Sequence, residues 1–89
     1  MNGVIVSVEI EDLERATTYL REQIVPNVSQ APGFVAGWWV TVDGGKQGRG
    51  TMIFDSEEAA RAVAGGIEQQ PGEGVTIKAV EVGEVAAKA

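Results

Sequence analysis

Ala31-Pro32-Gly33-Phe34-Val35-Ala36-Gly37-Trp38-Trp39 is the most informative stretch of this chain. Its Pro-Gly pair ends a helical pattern, and the apolar run that follows begins a strand. The run also places both tryptophans of the protein side by side. Because side chains alternate across a strand, Trp38 and Trp39 must point to opposite faces of a sheet. A face that carries an indole is a packed core, a subunit contact or the wall of a pocket.

Upstream of this stretch the sequence predicts a strand and then a helix. Apolar and other side chains alternate over residues 4–10, which is typical of a strand. Asp12 is suited to cap a helix, and apolar residues recur at helical spacing from Leu13 to Val28. Pro26 lies inside this pattern and removes a backbone hydrogen bond. We therefore expect a kink or a loosened last turn there.

Downstream, the sequence predicts two more strands and one more helix. Residues 43–48 are rich in glycine and predict a hairpin connection to a third strand over residues 49–54. Ser56 is a suitable helix cap, Gly65-Gly66 weakens the helix that follows, and Pro71-Gly72 ends it. A last strand is predicted from residue 74 to about residue 82.

The second strand, Phe34–Val42, is apolar on both of its faces. Strict alternation assigns its residues to two sets: Phe34, Ala36, Trp38, Val40 and Val42 on one face, and Val35, Gly37, Trp39 and Thr41 on the other. Either set is too apolar to remain in water as a surface patch. Both faces of this strand therefore need cover.

The predicted order βαββαβ is that of an α+β, ferredoxin-like sandwich, formed by residues 1–89 as one domain. In such a sandwich both helices cover one face of the four-stranded sheet. Nothing else in the chain remains to cover the other face. A second copy of the same sheet is the physical solution, so the sequence predicts a homodimer that packs through its sheet faces.

Composition excludes several classes of function. The 89 residues include no cysteine and no histidine, which removes thiol nucleophiles, Cys-based zinc sites and the commonest general base and metal ligand. With 13 acidic and 7 basic residues the net charge is −6, and an acidic surface repels phosphates. No apolar run is long enough to span a bilayer. We expect a cytoplasmic protein with no metal and no nucleic-acid or membrane partner.

The chain resembles the dimeric α/β-barrel superfamily, especially its antibiotic-biosynthesis-monooxygenase-like branch. The resemblance rests on the element order, on Pro26 near the end of helix one, on Ala31-Pro32-Gly33-Phe34 and on Phe54-Asp55-Ser56-Glu57-Glu58-Ala59. It implies that two sheets pack face to face as a dimeric α/β barrel, with a small-molecule pocket between each sheet and its helices. Members include cofactor-free oxygenases that act on quinol-like aromatics. Haem-degrading members use a helix histidine, which this chain lacks.

The resemblance implies candidate catalytic residues by type and approximate placement. Arg49 would stabilise an anion, Tyr19 would orient a ring, and Asn27 would face a pocket mouth. Each residue also has a structural interpretation. In that interpretation Arg49 is a solvated charge or an ion-pair partner at a strand end. Tyr19 is an aromatic at a helix edge, and Asn27 is an amide that satisfies loosened backbone groups.

Candidate substrate-binding residues are Trp38, Trp39 and Glu9. Either indole could stack on a ligand, or one could be core and the other a dimer contact. Glu9 would be a general base if its face of strand one were desolvated, and an ordinary strand-end carboxylate or a cross-dimer ion pair otherwise.

The sequence therefore leaves three functions open. The first is a cofactor-independent monooxygenase for a quinol-like aromatic substrate, and the second is a dimeric module that binds an apolar metabolite without catalysis. In the third, the protein is purely structural, and every apolar residue packs either in the core or in the dimer contact.

Overall fold

The computed structural model describes residues 1–70 and 72–89, so Pro71, part of the predicted end of helix two, lies outside the described residues. The elements are β1 (Asn2–Ile10), α1 (Leu13–Tyr19), a π-helical segment (Leu20–Ile24), α2 (Val25–Ser29), β2 (Phe34–Val42), β3 (Gln47–Phe54), α3 (Glu57–Gln69) and β4 (Val75–Glu84). A short turn of 3-10 helix, Asp43–Gly45, joins β2 to β3. The predicted order is confirmed, although β1 and β3 each begin earlier than expected.

The strands form one antiparallel sheet in the order β2-β3-β1-β4. Its core lies on one face only. Val4 and Met52 from the central strands pack there against Val28 of α2 and against Ala60 and Ala64 of α3. The helices thus cover a single face, as the ferredoxin-like prediction requires. The other face, called the open face below, has no cover from the described residues.

The first helical region changes its winding before Pro26. Asp12 caps α1 as predicted, since its Oδ1 accepts a hydrogen bond from the backbone N of Arg15 at 3.0 Å. At the end of the π-helical segment the N–H of Val25 donates to the carbonyl of Leu20, five residues back. Pro26 then lies at the start of α2, where a helix needs no donor. The irregularity expected at Pro26 is therefore a wider turn placed before the proline.

Gly33 makes the turn into β2. Its φ of 81° lies in the left-handed region, and a Cβ at this position would collide with the carboxylate of Asp55 and lie 2.9 Å from Cβ of Ala59. The carbonyl of Gly33 accepts a hydrogen bond from the N of Asp55 at 2.8 Å. The turn therefore fixes the start of β2 against the entrance of α3.

The predicted faces of β2 need one correction. Phe34 pairs with Phe54, and the register then shifts before Ala36, which makes Val35 an extra residue in the strand. Strict alternation placed Phe34 on the same face as Trp38, and this is wrong. The bulge turns Phe34 to the helix-covered face, where its ring packs edge-on against Phe54 with centroids 5.8 Å apart.

The second predicted helix forms as one unbroken element, α3. Ser56 caps it by accepting a hydrogen bond from the N of Ala59 at 3.2 Å. The helix continues through Gly65 and Gly66, because burial of Ala60 and Ala64 against the sheet offsets the weak propensity of the glycines. Within the described ranges, no helix combines the length and the apolar character needed to cross a bilayer.

Candidate functional site: a cavity and the open face of the sheet

A cavity of about 120 Å³ lies between the first helical region and the sheet. The π-helical segment closes one side of it, and the helix-covered face of the sheet forms its floor. Most of its wall is apolar. The larger aliphatic residues that line it are Val6, Val8, Ile10, Leu20, Ile24, Met52, Ile67, Val75 and Ile77.

Two glycines of β3 lie at the floor of this cavity. Gly48 and Gly50 alternate with Arg49, so both lie on the helix-covered face together with Met52. Neighbouring side chains lie close over them, Val8 over Gly48 and the indole of Trp39 over Gly50. Trp39, which pairs with Gly50 on the neighbouring strand, extends its half-buried indole into this region and lines the cavity.

Three hydroxyl groups interrupt the apolar wall. Thr17 and Tyr19 come from α1, and Thr41 comes from β2. Within the described residues, the side-chain hydrogen bonds do not involve any of these hydroxyls. The cavity thus combines an aromatic face, aliphatic walls and hydroxyls that are available to a ligand, which is typical of small-molecule sites.

The mouth of the cavity lies beside Tyr19 and Glu73, which also line a polar groove outside it. The ring of Tyr19 packs over Gly72, where a Cβ would lie 3.1 Å from Cε2 of the tyrosine. Arg15 Nη2 forms an ion pair with Glu73 Oε1 at 3.0 Å, and both side chains are about half exposed or more. Acidic side chains in this groove do not make a metal centre: in the part of the chain described, no group of three potential ligands is close enough to hold an ion.

The open face carries an apolar patch at its β2 side. Trp38, Val40 and Val42 of β2 lie on it with Ile5 of β1, and all four are exposed. Trp38 is 60 % exposed, the most of any large apolar side chain among residues 1–70 and 72–89. A patch of this kind on a sheet marks an interaction surface.

The open face carries less net charge than the chain as a whole, which carries −6. Lys78 Nζ lies 3.1 Å from Glu9 Oε1. Arg49 donates to Oε1 of Gln47 at 2.8 Å, and Glu81 lies opposite Ile5 on β4. The Glu11 carboxylate also reaches this face, where it accepts a hydrogen bond from the Thr76 hydroxyl at 3.0 Å. Two cations and three carboxylates therefore share this face, so two copies that approach each other through it meet little net repulsion.

The structure divides the six predicted site residues among three places. Trp39 and Tyr19 line the cavity. The side chains of Trp38, Glu9 and Arg49 lie on the open face. Asn27 is exposed on α2, away from the cavity wall. Arg49 also borders the cavity. Since alternation directs its side chain to the open face, only its backbone reaches the wall.

The sequence analysis missed several residues that line the cavity, chiefly Leu20, Ile24, Thr41, Gly48 and Gly50. A signal for the glycines was present. Glycines at alternate positions of a strand leave one face without side chains, and such a strand commonly marks close approach of a ligand or another backbone. The role of Leu20 and Ile24 depends on the π-helical segment, which has no comparable local signature.

Comparison with known proteins by sequence gives no family. No family model matches this chain. No curated protein matches it either.

Comparison by structure gives a fold. The chain is similar to the crystal structure of a dimeric ferredoxin-like protein from an uncultured marine organism, with a TM-score of 0.63 over 100% of this chain and 98% of that one. The two sequences are 13% identical, so the likeness speaks for the fold alone. It confirms the predicted ferredoxin-like α+β class. The finer resemblance to the antibiotic-biosynthesis-monooxygenase-like branch stays a prediction.

Proposed function

We propose that this protein is a homodimer that binds a small, uncharged aromatic molecule in the cavity between its first helical region and the sheet. The observation that carries the proposal is the cavity itself, in which the indole of Trp39 faces aliphatic walls. A ring stacked on this indole would bury apolar surface on both sides. Binding, rather than catalysis, is the function that the site supports best.

The size and chemistry of the cavity suit a ligand with one aromatic ring and a hydroxyl group. An engineered apolar protein cavity of about 150 Å³ takes up benzene, so the 120 Å³ here suits a ring of similar size. Hydroxyls of Thr17, Tyr19 and Thr41 offer donors and acceptors to a polar substituent. Among the described residues of the wall, Arg49 borders the cavity while its guanidinium binds Gln47 on the open face, which disfavours an anionic ligand.

A homodimer is supported by the open face. Its apolar patch of Trp38, Val40, Val42 and Ile5 is exposed, and its charged groups nearly balance. A two-fold interface needs a surface that is complementary to itself, and an apolar sheet face with little net charge meets that need. The similar ferredoxin-like protein is described as dimeric, which adds support.

A cofactor-independent monooxygenase is the second candidate. What favours it is the mouth of the cavity, which Glu73 and Tyr19 both line and where the Glu73 carboxylate could accept a proton from a bound quinol. The quinol anion would then attack dissolved oxygen, the oxidant, through a ring carbon that carries hydrogen. One oxygen atom would stay bonded to that carbon and the other would leave as water, which gives the hydroxyquinone. Two observations weigh against it: the Arg49 guanidinium lies on the opposite face, and Asn27 lies outside the cavity.

Titration calorimetry with phenol tests the proposed site. We expect saturable binding, lost in Leu20→Trp, which fills the cavity, and kept in Leu13→Trp, an exposed position of the same helical region that does not line it. Circular dichroism checks that both variants fold. No binding of phenol, hydroquinone or cresol by the wild type would contradict the proposal.

Oxygen consumption with hydroquinone, measured in parallel, separates the two candidates. Uptake that disappears in Glu73→Gln would favour the monooxygenase. Binding without uptake leaves the binding module. Sedimentation velocity of the same sample tests the dimer, and a monomer at micromolar concentration would contradict that part of the proposal.

A further inference from the structure

The indole of Trp39 lies directly on the backbone of two glycines. A Cβ at Gly50 would lie 2.9 Å from Cδ1 and 3.0 Å from Nε1 of Trp39, at the pyrrole end of the ring. A Cβ at Gly37 would lie 3.0 Å from Cη2 and 3.2 Å from Cζ3, at the benzene end. The ring is thus supported at both ends across β2 and β3, and neither position has room for a methyl group beneath it.

A side chain at either position would displace the ring. At Gly50 the contact of 2.9 Å is shorter than Cβ atoms essentially ever show, so the indole would have to move. At Gly37, where the contact is 3.0 Å, the ring would have to give by a few tenths of an ångström. An indole is rigid and moves as a unit. Because the sheet lies beneath the ring and the cavity above it, the ring would tilt into the cavity. The volume left for a ligand would fall.

We propose that Gly37 and Gly50 are specificity-determining residues of this cavity. By letting the indole of Trp39 lie flat, they set the depth of the slot above it and hence the bulk of the ring that fits. The inference rests on the proposed ligand site. Neighbouring Gly48 has a different role, since a Cβ there would lie 3.0 Å from Cγ2 of Val8 instead of meeting Trp39.

The test compares a small and a large ring, phenol and naphthol, by titration calorimetry. In Gly50→Ala we expect the ratio of naphthol to phenol affinity to fall about tenfold, the low end of what one misplaced methylene group costs in an apolar pocket. The matched control is Gly66→Ala on α3, where an added Cβ would have no atom within 4 Å. That variant should keep the wild-type ratio.

Combining Gly50→Ala with Trp39→Phe shows whether the glycine affects the naphthol-to-phenol ratio through the indole of Trp39. In Trp39→Phe the smaller ring leaves space above Gly50, so adding Gly50→Ala should leave the naphthol-to-phenol ratio unchanged. An equal fall in the ratio in both backgrounds would overturn the inference, because the glycine would then act without the indole. If Gly50→Ala does not fold, Gly37→Ala makes the same comparison at the other end of the ring.

The outcomes separate this inference from the proposed function. A wild type that binds neither phenol nor naphthol removes the ligand site and the inference with it. A wild type that binds both, with Gly50→Ala and Gly37→Ala retaining its ratio, overturns the inference alone. The inference is established if Gly50→Ala lowers the naphthol-to-phenol affinity ratio in the protein with Trp39 and not in the Trp39→Phe variant.

Discussion

Trp38 and Trp39 are consecutive residues of one strand, and the two faces of the sheet give them different surroundings. Trp38 is 60 % exposed beside Val40 on the open face. Trp39 lies half-buried over glycine on the helix-covered face and lines the cavity. The same residue type is thus suited to hold a second subunit on one face and a ligand on the other. What differs is the neighbouring side chains, which the strand pairing determines.

The two faces should differ most in how they tolerate an introduced aspartate, which two neighbouring residues of β1 can test. Val4 is fully buried and Ile5 is 46% exposed. Val4→Asp would bury a carboxylate without a partner, so we expect the free energy of unfolding to fall by about 3–5 kcal/mol. A loss of that size is enough to unfold most molecules of a small domain. Ile5→Asp should remain folded but monomeric. Circular dichroism and sedimentation velocity measure the two effects, and a folded Val4→Asp variant would contradict the assignment of faces.

Trp38→Ala sharpens the comparison at the open face. Aromatic residues at the centre of an interface contribute about 2 kcal/mol or more each, which corresponds to about a thirtyfold increase in the dimer dissociation constant. Phenol affinity should be unchanged, since Trp38 does not line the cavity. Trp38→Phe, which keeps a ring, is the control. Unchanged dimerisation of Trp38→Ala would place the interface elsewhere.

Tyr19→Phe and Arg49→Ala compare a hydroxyl of the cavity with a cation of the open face. Loss of one neutral hydrogen bond to the ligand costs about 0.5–1.5 kcal/mol, so phenol should bind to Tyr19→Phe several-fold more weakly. Arg49→Ala should bind phenol like the wild type, because its side chain lies against Gln47 on the other face. Calorimetry distinguishes them, and weaker phenol binding by Arg49→Ala would restore that residue to the ligand site.

The smallest effects are expected at two exposed ion pairs. Arg15 with Glu73 and Lys78 with Glu9 are both solvated, so Arg15→Ala and Lys78→Ala should each change the free energy of unfolding by less than about 1 kcal/mol. Only Lys78→Ala makes the open face more negative. Its dimer should therefore weaken at low salt and recover at high salt. Equal salt dependence in both variants would contradict an interface formed by this face.

The fold could be predicted from sequence because periodicity and turn chemistry are local. Asp12 and Ser56 cap their helices as expected, and Phe34–Val42 forms the predicted strand. The bulge at Val35 could not be predicted, since it depends on how β2 pairs with β3. That single extra residue moved Phe34 from one face to the other.

The candidate site was predictable only in part. Trp39 and Tyr19 were named from residue type, and both line the cavity. The glycines beneath Trp39, Gly37 and Gly50, were interpreted only as strand residues, because no local pattern tells which side chain will lie over a glycine of a strand. Arg49 was placed at the right strand but on the wrong side for a ligand in the cavity, since the sequence does not tell which face of β3 the helices cover.

Fluorescence of the two single-tryptophan variants tests the central claim most directly, that one face of the sheet binds a ligand and the other a second subunit. Titration with para-bromophenol, whose heavy atom quenches an indole in contact with it, should quench Trp38→Phe, which retains Trp39, and leave Trp39→Phe unquenched. Dilution below the dimer dissociation constant should shift only the emission of Trp39→Phe, which retains Trp38. Quenching of both variants to the same extent, or a dilution shift confined to the Trp39 indole, would contradict the account.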